Sequence, residues 1–127
     1  MKELVNSKNA PAAIGPYSQA VCANGFVFTS GQLPINPQTG EMEPADISVQ
    51  TSRSLENVKA VLNAAGLELS DIVKTTVFLS DMENFAAMNA VYSQYIKDCV
   101  LPARSAVQVA RLPKDALVEI EAVAVKK

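Results

Sequence analysis

The chain reads as a two-layer α/β sandwich of order β-β-β-α-β-α-β-β, with two helices on one face of a mixed sheet. Three observations lead there. Short, β-branched or aromatic runs bounded by turn residues recur along the chain. Two longer segments, 46–65 and 82–98, carry apolar residues at helical spacing instead. The length of 127 residues suits one domain, taken as 1–127, and two helices can cover only one face of such a sheet.

The elements follow in order. Lys2–Asn6 is short and mixed and is read as a first edge strand. Asn9-Ala-Pro-Ala-Ala-Ile-Gly-Pro-Tyr-Ser18 is a loop, because its prolines and glycine impose turns. It carries an aromatic hydroxyl, Tyr17, directly after Gly15-Pro16. Gln19–Ser30 is a hairpin about Asn24-Gly25, since a type I′ turn needs positive φ at both central residues. Its flanks, Val21-Cys22-Ala23 and Phe26-Val27-Phe28-Thr29, are almost continuously apolar, so both faces require burial. Ser30-Gly31 then sets a small hydroxyl beside a glycine, where backbone N–H groups can be approached closely. Leu33–Gly40 is rich in turn residues and forms a loop.

Asp46–Ala65 is the clearest helix. Asp46 is its N-cap, Thr51, Leu55, Val58, Leu62 and Ala65 form one stripe, and Gly66 ends it with Leu67 placed for a closing apolar contact. Val73–Leu79 is a strand, with Val73, Thr75, Val77 and Leu79 on one face and Lys74, Thr76 and Phe78 on the other. Ser80-Asp-Met-Glu83 matches a capping box and opens a second helix, Met82–Asp98. The stripe of this helix is Phe85, Met88, Tyr92, Tyr95 or Ile96, and Cys99. Asn89 sits beside that seam, where an amide either points to water or meets a specific partner. Arg104–Ala110 is a strand with Val107 and Val109 on one face and Arg104, Ala106 and Gln108 on the other. Leu117–Val125 is the last strand; Val118, Ile120, Ala122 and Ala124 face one way, and Glu119, Glu121 and Val123 the other. In these phases the face bare of helices carries Lys74, Thr76, Phe78, Arg104, Ala106, Gln108, Glu119 and Val123. That surface is too apolar for solvent and points to association between subunits.

Composition narrows the chemistry. The chain is 49% apolar and 19% charged, with a formal net charge of −2 and no histidine. Histidine-based triads, HExxH zinc sites and a histidine base are excluded. The acidic balance argues against nucleic acid or an anionic membrane as partner. Cys22 and Cys99 form no metal-ligand spacing and are read as free thiols in a reducing cytoplasm. No signal segment or membrane span is expected. Of three arginines, Arg104 alone lies inside a strand. It either pairs with an acid or offers a guanidinium fork to a substrate carboxylate. Glu119 and Glu121 can share its side, where one of them would act as base toward water.

The segments Asn9–Ser18, Thr29–Gln32, Asp71–Val77, Phe85–Tyr92, Pro102–Ala106 with Val109–Pro113, and Val118–Ala122, in this order over essentially the whole chain, resemble the RidA (YjgF) family. These are the reactive intermediate deaminases, also filed as L-PSP endoribonucleases or translation inhibitors. The resemblance implies a chorismate-mutase-like fold, a homotrimer with active sites in clefts between subunits, and no metal or organic cofactor. It implies hydrolysis of 2-iminobutanoate and 2-iminopropanoate to 2-oxo acids and ammonia, the imines arising from enamines released by pyridoxal-phosphate dehydratases. Arg104 would clamp the substrate carboxylate and Glu119 would position the attacking water. Tyr17, Ser30, Gly31 and Asn89 would shape the pocket. Well-known members carry cysteine where this chain has Ala106, so a thiol role is excluded there and a backbone contact is retained. The alternatives are a non-catalytic ligand-binding or chaperone-like trimer and, ranked lower, an endoribonuclease.

Overall fold

A computed structural model describes residues 1–126; Lys127, the last residue of the expected domain, lies outside the described residues. Six strands form one sheet: β1 (Glu3–Val5), β2 (Ala20–Ala23), β3 (Phe26–Thr29), β4 (Ile72–Leu79), β5 (Ala103–Gln108) and β6 (Val118–Val125). Their spatial order is β1-β2-β3-β6-β4-β5, with β4 and β5 parallel and every other neighbouring pair antiparallel. Helices α1 (Ile47–Ala64) and α2 (Phe85–Tyr95) cover one face. The element order and the mixed two-layer architecture agree with the sequence.

Local signals explain most boundaries. Asn24 and Gly25 both take positive φ at the hairpin tip, 52° and 82°. Asp46 caps α1 by accepting from the Val49 N–H at 3.1 Å. At the other end Gly66 (φ 77°) allows the Gly66 N–H to donate to Asn63 and the Leu67 N–H to donate to Leu62. This pair of bonds is a Schellman motif, and it closes Leu67 against the core.

Three expectations need correction. First, Ser80 does not cap the second helix. Asp81 caps a 3₁₀ turn over Met82–Asn84, accepting from the Glu83 N–H at 2.9 Å, and α2 follows from Asn84 with no side-chain cap bond of its own. Helix α2 then stops at Tyr95 rather than Asp98, because Ile96 leaves helical geometry with φ −104° and ψ 89°, and Asp98 beyond it is left-handed with φ 58°. Second, Val73 does not share the face of Thr75. A β-bulge between Ile72 and Lys74 turns Val73 outward and puts Ile72 in the core.

Third, β5 is phased the other way. Parallel pairing sets Arg104 beside Thr75, Ala106 beside Val77 and Gln108 beside Leu79, all on the helix side. Val107 lies beside Phe78 on the bare face and is exposed. The apolar Val107 and Val109 give a misleading inward signal, because the helix side offers Arg104 two aromatic rings. The bare face therefore holds Phe26, Phe28, Thr76, Phe78, Glu119 and Val123, with Phe26 and Phe28 exposed. The core lies between sheet and helices, built from Leu55, Val58, Leu62, Val77, Leu79, Met88 and Ile120 among others.

Candidate active site

Arg104 rises from β5 under α2. Its guanidinium carbon lies 4.8 Å from the Tyr92 ring centre and 5.5 Å from that of Phe85. Its Nη1 donates to Asn89 Oδ1 at 2.6 Å. The Tyr92 ring is itself fixed, its hydroxyl sharing a 2.7 Å hydrogen bond with Thr75 Oγ1. Among the described residues the ion pairs are Arg53–Glu43 and Arg111–Asp115, and no carboxylate pairs with Arg104. The acid partner considered from sequence is absent because Glu119 and Glu121 project from the opposite face of the sheet. Two rings and an amide thus hold a cation with which no carboxylate pairs among the described residues. It opens on a cleft of about 410 Å³ lined also by Asn89, Tyr92, Ser93, Leu101 and Pro102. Ala106, two residues on, packs half-buried against the core.

The second cluster gathers around Glu119. Pairing of the chain leaving β3 with β6 slips by one residue between Phe28↔Val123 and Gln32↔Ile120. In the slip Thr29 Oγ1 replaces a backbone acceptor and takes the Ala122 N–H at 3.0 Å. The Gln32 N–H then donates to the Ile120 carbonyl at 2.7 Å. This irregularity lays Gly31 directly on the Glu119 side chain. A Cβ at residue 31 would stand 2.7 Å from Glu119 Cδ and 3.0 Å from Cγ, so a side chain there would push the Glu119 carboxylate aside. Glycine thus leaves the Glu119 side chain its place by lacking a Cβ, not by its φ. Burial raises the Glu119 carboxyl above the ordinary carboxylate range, and the nearby Glu121 charge adds to the effect.

Ser30 is anchored in the same stretch. Its N–H donates to the Gln19 carbonyl at 2.8 Å and its hydroxyl to the Ser18 carbonyl at 2.7 Å. Tyr17 is half exposed, follows a turn closed by its N–H on the Gly15 carbonyl at 2.8 Å, and lines one small cleft together with Gly31.

The sequence-predicted residues therefore fall into two groups. Tyr17, Ser30, Gly31 and Glu119 lie together, and so do Asn89, Arg104 and Ala106. The structure does not bring the groups together in one chain: Arg104 is on the helix side of the sheet and Glu119 on the bare side.

Three buried amides escaped the sequence reading. Gln19 is wedged under the N-terminal loop, its Oε1 accepting from the Ser7 N–H at 2.6 Å and its Nε2 donating to the Ser7 and Pro11 carbonyls at 3.0 and 2.8 Å. Gln50 Nε2 donates to the carbonyls of Glu43 and Pro44, and Asn57 Nδ2 to those of Leu33 and Ile35. The available signal was in α1. Gln50, Ser54 and Asn57 recur at i, i+4, i+7 beside the apolar stripe, so they belong to the buried face.

The endoribonuclease L-PSP family model matches residues 7–126. A RutC family protein of Pyrococcus horikoshii is 55% identical over the whole of both chains. The 2-iminobutanoate/2-iminopropanoate deaminase of Escherichia coli K12 is 53% identical, also over the whole of both. Among solved structures, the Rid family protein YyfA of Yersinia pestis superposes with a TM-score of 0.97 at 50% identity, covering 98% of this chain and 99% of that one. Escherichia coli TdcF with bound serine superposes at 0.94 and 53% identity, with the same coverage.

Proposed function

The chain belongs to the endoribonuclease L-PSP family, which includes the RidA deaminases, and from that premise we propose that it deaminates reactive 2-imino acids by hydrolysis. Its substrates are 2-iminobutanoate and 2-iminopropanoate, formed from the enamines that pyridoxal-phosphate dehydratases release. Its products are 2-oxo acids and ammonia. The observation that carries this reading is the uncompensated Arg104 guanidinium, fixed by Asn89, Phe85 and Tyr92. A planar fork of N–H donors without an acid partner suits a small carboxylate.

In the proposed reaction Arg104 binds the carboxylate and presents C2 of the protonated imine to a water beside Glu119. The carboxylate of Glu119 takes a proton as the water oxygen bonds to C2, giving a carbinolamine. The same proton then passes to the nitrogen, and as ammonia leaves the regenerated Glu119 carboxylate takes the hydroxyl proton, so that the ketone forms. A carboxyl whose affinity for protons is raised by burial suits both halves of this relay. A protonated imine is already a good electrophile, so orientation does most of the work. Tyr17, Ser30 and Gly31 shape the water-bearing wall, and Asn89 and Ala106 the carboxylate-bearing one. The resemblance implies no metal or organic cofactor for this chemistry.

The two groups lie on opposite faces of one sheet, which supports a site completed between copies of the chain. We therefore take the assembly to be a homotrimer of chorismate-mutase-like domains, each spanning 1–127, with the apolar bare face turned toward neighbours. The expected compartment is the cytoplasm, and neither nucleic acid nor membrane is an expected partner. The family description names a nuclease, but a chain of net charge −2 without histidine is poorly equipped for RNA cleavage. Ammonia release from 2-iminobutanoate, generated in place by threonine dehydratase acting on threonine, tests the proposal. Acceleration over the uncatalysed rate is expected; none at micromolar enzyme would leave a binding protein.

A further inference from the structure

Arg104 and Glu119 account for the carboxylate and the reacting carbon of the substrate, and leave its side chain unassigned. Resting on that reading, we propose that the small cleft beside Gly31, walled by Pro11, Ile14, Leu33 and Ile35, receives the side chain and restricts the enzyme to short aliphatic 2-imino acids.

The cleft shares Gly31 and Tyr17 with the Glu119 cluster, so a group seated in it is next to the proposed point of water attack. Its volume is about 80 Å³, against about 410 Å³ beside Arg104. An apolar cavity of about 150 Å³ takes a benzene ring, so a cleft about half that size suits a smaller group. A methyl or ethyl group fits, an isobutyl group is crowded, and a benzyl group is shut out. The wide cleft at Arg104 has no such power to discriminate.

Both walls are anchored through backbone carbonyls, although Ile14 itself is exposed. On one side Gln19, 2% exposed, grips the loop through the Pro11 and Ser7 carbonyls. On the other Asn57, fully buried in α1, donates to the Leu33 carbonyl at 3.0 Å and to the Ile35 carbonyl at 2.9 Å. Parting either wall would leave buried donors and acceptors unpaired, which resists expansion around a larger guest. Rigid apolar walls select by size, and one surplus methylene changes kcat/KM by about ten- to two-hundred-fold.

The test compares wild type, Leu33→Ala and Ile35→Ala on imines made by an amino-acid oxidase from 2-aminobutanoate, leucine and phenylalanine. Wild type should favour 2-iminobutanoate over the leucine-derived imine at least tenfold. Either alanine variant should shrink that ratio about tenfold, whatever its folded fraction, because the ratio is internal to each protein. A wild type indifferent to size, or variants with an unchanged ratio, would overturn the subsite while leaving the deaminase intact. A wild type inactive on all three imines would overturn the deaminase reading, and the subsite is then decided by methyl NMR with 2-oxobutanoate. Shifts at Leu33 and Ile35 support it; shifts confined to Leu101, or none, overturn it.

Discussion

A guanidinium resting on Phe85 and Tyr92 and tied to Asn89 has a fixed position and a charge that no acid offsets. Arg104→Ala should cost about 2–4 kcal/mol of transition-state stabilisation, roughly thirty- to nearly thousand-fold in kcat/KM. Arg104→Lys should recover little, since an ammonium lacks the fork. A folded Arg104→Ala protein with near-wild-type deamination would remove the carboxylate clamp. Glu119 makes a prediction of opposite kind. Burial raises its pKa above the ordinary 4.5, so the fold favours the protonated form. The stability this confers is full below the ordinary value and is lost as pH rises through the raised one. Glu119→Gln should therefore melt above wild type at neutral pH, with the gap closing in acid below 4.5, while deamination is lost. Wild-type kcat/KM should fall as pH drops through the raised pKa. A Glu119→Gln protein less stable than wild type at neutral pH would contradict the assigned burial cost. The sequence singled out Arg104 and Asn89 but did not join them, because their contact spans α2 and β5. Gln19 was illegible because a lone amide gives no sign of whether it faces water or a carbonyl, whereas Asn57 was legible through its helical phase with Gln50 and Ser54.

At the level of elements, boundaries were readable where one residue decides them. Asp46, Asn24-Gly25 and Gly66 each act within four residues of chain. Gly66→Ala should destabilise by about 1–2 kcal/mol, because a Cβ is disfavoured at φ 77°. Thermal melting should show a clear drop with specific deaminase activity unchanged at low temperature; an unchanged melting point would mean the Schellman turn holds without it. Phases of strands were less readable than their existence. Alternation separates two faces but does not name the inner one. Along β5 the valines outscore arginine in hydrophobicity, yet the pairing Thr75↔Arg104 and the rings of α2 turn the arginine inward. The capping box misled because Asp81 rather than Ser80 takes the Glu83 N–H, and the turn it caps is a 3₁₀ turn that leads into α2 rather than α2 itself.

For the whole molecule, the two-layer architecture followed from the order and number of elements, whereas the division of the site did not. That division depends on sheet order, which brings β6 between β3 and β4. It yields a test of assembly. Arg104→Ala and Glu119→Gln should each be nearly inactive, yet refolded together they should regain about a quarter of wild-type turnover, since a site between subunits can draw each intact half from a different chain. No recovery, with mixed oligomers verified by mass, would place both halves within one subunit. Phe28→Asp, on the exposed bare face opposite the helices, should weaken association and turnover together.

The bulge in β4 also bears on how the chain tolerates changes in its length. Val73 is the surplus residue between Ile72 and Lys74, and both neighbours already pair with consecutive residues of β6. Deleting it would leave strict alternation, with Ile72 still inward, Lys74 still outward and every later side chain undisturbed. Deleting Thr76 instead would throw the start of the strand onto the wrong face. A chain of one residue fewer should thus fold when the loss falls at Val73 and fail when it falls three positions on, a contrast that soluble yield and melting of the two deletions would expose.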